Sequence, residues 1–132
     1  MRLQDWQNRF AALVHQRQLT PFAWGAHDCV LWAADCVQAL TGVDHAQAWR
    51  GSYSTALQAA RVLSPMGGLV GVATAALGAH VSPLMAAVGD VVLVDNADRE
   101  MLGVCIGTGV LAPGESGLVC VPMTAAIAVW KL

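Results

Sequence analysis

Apolar positions recur at helical spacing through the first half of the chain and gather into short β-branched runs in the second. Leu3, Trp6, Phe10, Leu13 and Val14 fall three and four apart, with Gln4, Asp5, Gln7, Asn8, Arg9, Gln16 and Arg17 elsewhere. This spacing predicts an amphipathic helix from Leu3 to Leu19 with one buried stripe. Thr20 and Pro21 end it, because proline cannot continue the hydrogen-bond ladder and restricts the residue before it. A connector from Pro21 to His27 leads to a second helix, Cys29 to about Leu40, capped by Asp28 and stopped by Gly42. Its Val30, Leu31, Trp32, Ala33, Ala34, Val37 and Leu40 surround most of the circumference, which makes it the central helix. Asp44 is positioned to cap a short helical piece through Trp49, and Ser54 another from Thr55 to Leu63. Pro65, Gly67 and Gly68 then break the chain before a last short helix, Leu69 to Leu77.

The pattern changes at Gly89. Val91–Val94, Leu102–Ile106, Leu118–Val121 and Ile127–Trp130 are short apolar runs bounded by turn residues, and they predict antiparallel strands joined by turns at Asn96–Glu100 and Pro113–Gly117. Helices first and strands last give an α+β fold, with N-terminal helices packed on a C-terminal antiparallel meander. A length of 132 residues suits one domain spanning 1–132.

Composition adds that few side chains are available to face water. The chain is 56% hydrophobic and 12% charged, against about 25% charged in an ordinary soluble domain. Apolar surface must therefore meet partners or a membrane. Val62–Gly89 carries no Asp, Glu, Lys or Arg and is long enough for a span, but Pro65, Gly67, Gly68, Gly71, Gly78, His80, Ser82 and Pro83 interrupt it, so no membrane span is expected. Met1–Phe10 holds Arg2, Asp5 and Arg9 with no apolar stretch of a secretory signal, so the protein is expected to begin in the cytoplasm. A net charge of −2 without a Lys/Arg cluster excludes a nucleic-acid footprint. Cys29, Cys36, Cys105 and Cys120 form no CxxC pair and no zinc-like spacing with histidine; no metal or cofactor is expected and the thiols should be reduced.

The stretch Phe22-Ala-Trp24-Gly25-Ala-His27-Asp28-Cys29 places a cysteine in the first turn of the central helix. A helix N-terminus carries about half a positive charge, which favours a thiolate, and its free amides suit an oxyanion. The competing reading is a small apolar residue packed under the sheet. A nucleophile needs a base within about 3 Å, directly or through one water. His27 could fold back from the connector, and His80 could approach the rim of the sheet; His15 and His45 read as surface residues. Cys36, two turns after Cys29, suggests shared packing, and Cys105 and Cys120 should face the core or the sheet. Trp24, Trp32, Trp49 and Trp130 read as core bulk, with an aromatic wall for a ligand as the alternative.

Trp24-Gly25 with Asp28-Cys29, Gly42 after one helix, Gly89-Asp90-Val91-Val92 opening a strand, and Leu102-Gly103-Val104-Cys105-Ile106-Gly107 together resemble the NlpC/P60 pattern over residues 22 to 130. More narrowly, Arg50-Gly51-Ser52-Tyr53, Gly117-Leu118 and Val121-Pro122, ending near Trp130, are similar to small proteins encoded among the tail genes of phages and gene-transfer agents. The resemblance implies a papain-like fold and a Cys/His pair cleaving cell-wall peptides. Cys29 would be the nucleophile, with Trp24 and Asp28 at the substrate groove. The base would open the second strand, where Met101 stands, and its orienting partner would fall near Val119 or Cys120. With those two roles vacant, the resemblance implies a structural or assembly component of a phage or phage-like tail tip or baseplate, partnered by other tail proteins. It would assemble in the host cytoplasm and remain in the virion tail. The alternative is an active cysteine peptidase or amidase on peptidoglycan stem peptides, with His27, His80 or a partner's residue as base; a third is a cell-wall-binding module without chemistry.

Overall fold

The computed structural model describes residues 1–132 and forms an α+β fold. Four helices, α1 (Trp6–Arg17), α2 (Cys29–Thr41), α3 (Ala56–Leu63) and α4 (Gly68–Leu77), precede five strands, β1 (Val91–Asn96), β2 (Arg99–Cys105), β3 (Val110–Gly114), β4 (Gly117–Val121) and β5 (Ala126–Trp130). All neighbouring strands pair antiparallel, in the order β4-β3-β2-β1-β5.

The predicted stripe of α1 is the face it buries. Phe10, with Trp6, Leu13 and Val14 beside it, packs on Trp32, Cys36, Leu40 and Val104. Leu3 lies ahead of the helix, its N–H donating to Leu40 O at 2.7 Å and so tying the N-terminal segment to the end of α2. Asp28 caps α2 by accepting from the Leu31 N–H, and Gly42, at φ 82°, ends it with its N–H on Gln38 O. Such a φ suits glycine, which has no Cβ to clash. The opposite side of α2 meets the sheet and α4: Val30, Ala33 and Val37 cluster with Val72, Ala73, Val91, Leu93, Leu102, Ala128 and Trp130. The other sheet face, with Val92, Val94, Cys105, Val110, Val121 and Val129, is covered by Val81, Ala86, Met123 and Ala125 from the connections. A sheet buried on both faces explains the near-continuous apolar run Val91–Val94.

Three local expectations need correction. Residues 45–50 form turns and not a regular helix; Asp44 accepts from the Ala46 N–H, as a cap would, and its two oxygens also accept from the Arg50 guanidinium. Helix α3 is capped by Thr55, not Ser54; the Gln58 N–H donates to Thr55 Oγ1, and the Ser54 N–H donates back to Gln58 Oε1. The stretch 110–114, read partly as a turn, is strand β3. Its ladder with β2 is confined to Val104–Leu111 and Cys105–Val110, so at Pro113 the strand has left β2 and pairs only with β4. A proline is tolerated where no ladder hydrogen bond is needed.

The cysteines also separate. Cys36 is fully buried in the α1-facing cluster, whereas Cys29 packs against the sheet-facing one, so the two do not share packing. Cys105 is buried as expected, but Cys120 on the edge strand β4 is exposed. No single helix is long and apolar enough to cross a membrane; Ala56–Met66 and Gly68–Leu77 meet at a 58° bend.

At one end of the sheet, the Asp90 carboxylate is fully buried and accepts from four donors. Oδ1 takes Arg2 Nη2 and the Leu132 N–H, each at 3.1 Å, and Oδ2 takes the Ala87 N–H at 2.9 Å and Lys131 Nζ. Arg2 Nε also donates to Leu132 O at 3.1 Å. Both chain ends are thus gathered on one buried charge.

Candidate functional site

At the opposite end of the sheet β2 and β3 diverge and leave an open groove of about 1080 Å³, counting the solvent it opens to. Its walls are Phe22 and Trp24 of the connector, Cys29 of α2, Arg99, Glu100 and Met101 of β2, and Pro113, Gly114, Glu115 and Val119 around the β3–β4 turn. The connector is fastened to that turn by the Phe22 N–H on Gly114 O at 2.9 Å, and the end of α1 by the Leu118 N–H on Gln18 O at 3.0 Å. Phe22 and Trp24 meet edge to face at 4.7 Å, and the Arg99 guanidinium lies 5.9 Å from the Phe22 ring centre.

Two of the sequence motifs meet beneath this groove. Gly25, at φ +78°, passes so close to Tyr53 that an added Cβ would fall 1.8 Å from its carbonyl oxygen; Gly51 N–H donates to Gly25 O at 2.9 Å. This contact brings the Tyr53 hydroxyl to Asp28 Oδ2 at 2.7 Å, the same oxygen that accepts from the Gly25 N–H at 3.0 Å, while Oδ1 caps α2. Asp28 is 1% exposed and does not line the groove. The substrate-groove role expected of it is therefore corrected to a structural one: it closes the Gly25 turn, the Tyr53 contact and the start of α2 on one carboxylate. Burial, followed by Asp28, pushes the Tyr53 phenol far above its usual range.

Cys29 sits at the groove, partly exposed, at the first turn of α2. The thiolate expected of a helix N-terminus is not favoured here. Burial pushes the thiol up to about 11; a backbone hydrogen bond at Leu102 and the charge of Arg99 act downward, and the charge of Asp28 acts upward. The capping carboxylate thus offsets the positive helix end on which an activated cysteine would depend.

No histidine lines the groove. His27 is 3% exposed and turns toward α1, with its ring edge-on to Trp32 at 5.8 Å and Nδ1 3.4 Å from Arg17 Nη1. Arginine can only donate, so Nδ1 accepts and the proton sits on Nε2, which is buried without a partner. Burial, and next the Arg17 charge, lower the pKa of His27. Arg17 is itself held by Asp35 at 2.9 Å, and Asp35 by Arg50 at 2.8 Å, so His27 belongs to an ion-pair network and not to Cys29. His80 is exposed and stacks edge-on against Trp130 on β5, at 5.7 Å, away from the groove lining. His15 and His45 are exposed.

Met101 borders the groove and packs against the cluster on the far sheet face. Val119 and Cys120, where an orienting residue was expected, lie in β4 and not in the strand after β2; that strand is β3, whose Pro113 and Gly114 line the groove and carry no polar side chain. Trp24 is a groove wall and not core bulk, whereas Trp32 and Trp130 are fully buried and Trp49 partly so. The groove residues that the sequence did not single out, Arg99, Glu100, Pro113, Gly114 and Glu115, come together because β2 and β3 run antiparallel. That places the β1–β2 and β3–β4 turns side by side.

A family model described as a domain of unknown function (DUF6950) matches residues 1–132. No curated protein and no solved structure matches the chain.

Proposed function

We propose that this chain, which belongs to the DUF6950 family, is a non-hydrolytic module of papain-like, NlpC/P60 type that serves as a structural or assembly component of a phage or phage-like tail tip or baseplate. One observation carries the loss of catalysis: a groove holds Cys29 and no histidine, while His27, the nearest candidate in sequence, is buried against Arg17 and Trp32. A cysteine hydrolase needs an imidazole or equivalent within hydrogen-bond reach of its thiol, and Cys29 has none. The elevated thiol pKa supports the same reading, since it keeps Cys29 protonated at neutral pH. The tail assignment draws on the resemblance of Arg50-Gly51-Ser52-Tyr53, Gly117-Leu118 and Val121-Pro122 to tail-gene proteins. It also suits a surface that exposes Leu19, Leu57, Leu84, Met85 and Ile127, as an assembly component would.

The test is the pH dependence of Cys29 alkylation, read by peptide mapping, together with incubation on peptidoglycan stem peptides. Labelling should stay slow at neutral pH, rise toward pH 11, and be unchanged by His80→Ala; stem peptides should remain intact. Fast labelling below pH 7 that one histidine substitution abolishes, with stem-peptide cleavage, would establish the peptidase reading instead. Co-purification with tail-tip proteins from a producing cell tests the assembly role, and its absence from purified virions and assembly intermediates alike would refute it.

A further inference from the structure

The charged side chains of this molecule are unevenly matched. Arg2 and Lys131 are paired with Asp90, Arg9 with Asp5, Arg17 with Asp35, and Arg50 with both Asp35 and Asp44. Apart from Arg61 in the last turn of α3 and the buried Asp28, the side chains without an ionic partner collect at the groove end. Arg99 and Glu100 line it from β2 and Glu115 from the β3–β4 turn. Asp95 stands directly across the ladder from Glu100, and Asp98 lies in the turn between the two strands. All five are exposed, and none makes a salt bridge or side-chain hydrogen bond. Four carboxylates against one guanidinium give this end a net −3, while the whole chain is −2, so the remainder of the molecule is slightly positive.

Like charges directly opposite in a ladder are unfavourable, and the Asp95–Glu100 pair is left in that state at the mouth of a concave site. The rest of the groove lining is different in kind: the Phe22–Trp24 edge-to-face pair and Pro113 offer apolar and π surface in the same groove as Glu100 and Glu115. Aromatic faces attract cations, and an aliphatic stem packs on them while its charged head reaches the rim. Arg99 already occupies the Phe22 face at 5.9 Å, which leaves Trp24 as the free aromatic wall.

We propose that this groove docks an extended, lysine- or arginine-bearing segment of a partner protein, with its basic side chains at Glu100 and Glu115 and its stem along Trp24. The inference rests on the reading of the groove as retained without hydrolysis, and it names the occupant. Charge complementarity of this type steers encounter and is weakened by salt.

The experiment titrates the full chain with an acetylated, amidated pentapeptide of alternating alanine and lysine, and separately with its glutamate counterpart, following backbone amide shifts and Trp fluorescence. The lysine peptide should bind at least tenfold more tightly than the glutamate peptide, move the amides of Phe22, Trp24 and Gly114, and lose most of its affinity at high salt. The double variant Glu100→Gln/Glu115→Gln should weaken it about tenfold, and Trp24→Ala should remove the fluorescence response. Asp5→Asn, at an exposed carboxylate just before α1, should leave affinity within about twofold. Equal affinity for the two peptides, shifts scattered away from the groove, or indifference to the double variant would overturn the proposal. Recovery of a cleaved peptide would instead overturn the non-hydrolytic reading while leaving the charge preference standing, so the two failures are distinguishable.

Discussion

The two ends of the sheet treat buried and exposed charge in opposite ways. At the Asp90 end, one fully buried carboxylate is satisfied by Arg2, Lys131 and two backbone N–H groups. At the groove end, Asp28 is just as buried but is satisfied by neutral donors, and the charges above it are left unmatched. Burying a carboxylate is costly unless its oxygens are met by donors, and at the first end those donors include two cations, so its charges are used up in holding the fold. The second keeps its ions free to meet something else. Stability and recognition have been placed at opposite poles of one sheet.

The sharpest way to break this contrast is Asp90→Ala. It removes the acceptor of four donors, and breaking a buried ion pair costs about 3 kcal/mol or more; chemical denaturation should show the loss, while groove-lining amides keep their shifts. Next in size, Tyr53→Phe withdraws a 2.7 Å bond from a buried carboxylate and should cost about 2 kcal/mol by the same measurement. If the groove pole has been shaped for recognition, its turn should be improvable. Ala97 and Asp98 both hold positive φ, 54° and 62°, in the two-residue β1–β2 turn that favours Asn-Gly. The double variant Ala97→Asn/Asp98→Gly should gain about 1 kcal/mol, read as a higher denaturation midpoint.

The smallest effect sharpens the comparison through pH. His27 is held neutral by burial and by Arg17, so its folded pKa lies below the unfolded value. The unfolded chain then binds more protons as pH falls below about 6.5, and stability declines through that window until the folded pKa is passed. The slope stays under the one-proton limit of about 1.4 kcal/mol per pH unit. His27→Gln should flatten this part of the stability profile, measured as denaturation midpoint against pH; an unaltered slope would remove His27 from the account.

Helical periodicity made α1, α2 and α4 legible from Phe10, Trp32 and Val72 outward, because those helices bury one stripe or nearly everything. Strand β3 was hidden because Pro113 and Gly114 read as a turn, and only its departure from β2 makes a proline acceptable there. The same omission concealed half of the groove, since Pro113, Gly114 and Glu115 join Arg99 and Glu100 only through that strand's direction. Cys29 was legible as a helix-N-terminal thiol. Its high pKa was not, because the opposing effects are burial and a carboxylate whose other partners, Gly25 and Tyr53, are far apart in sequence. His27 was misleading for a related reason: two residues from Cys29 along the chain, it lies on the other side of α2, where Arg17 and Trp32 receive it.

The clasp on Asp90 makes the chain nearly circular. With Arg2 Nε 3.1 Å from Leu132 O, beginning and end leave from one corner, at the pole opposite the groove. A short peptide joining them should permit the ring to be reopened elsewhere, for instance at the exposed Ala97–Asp98 turn, without moving the core. The same geometry would let the whole domain be spliced into a surface loop of a larger protein, entering and leaving at a single point, with its groove facing outward.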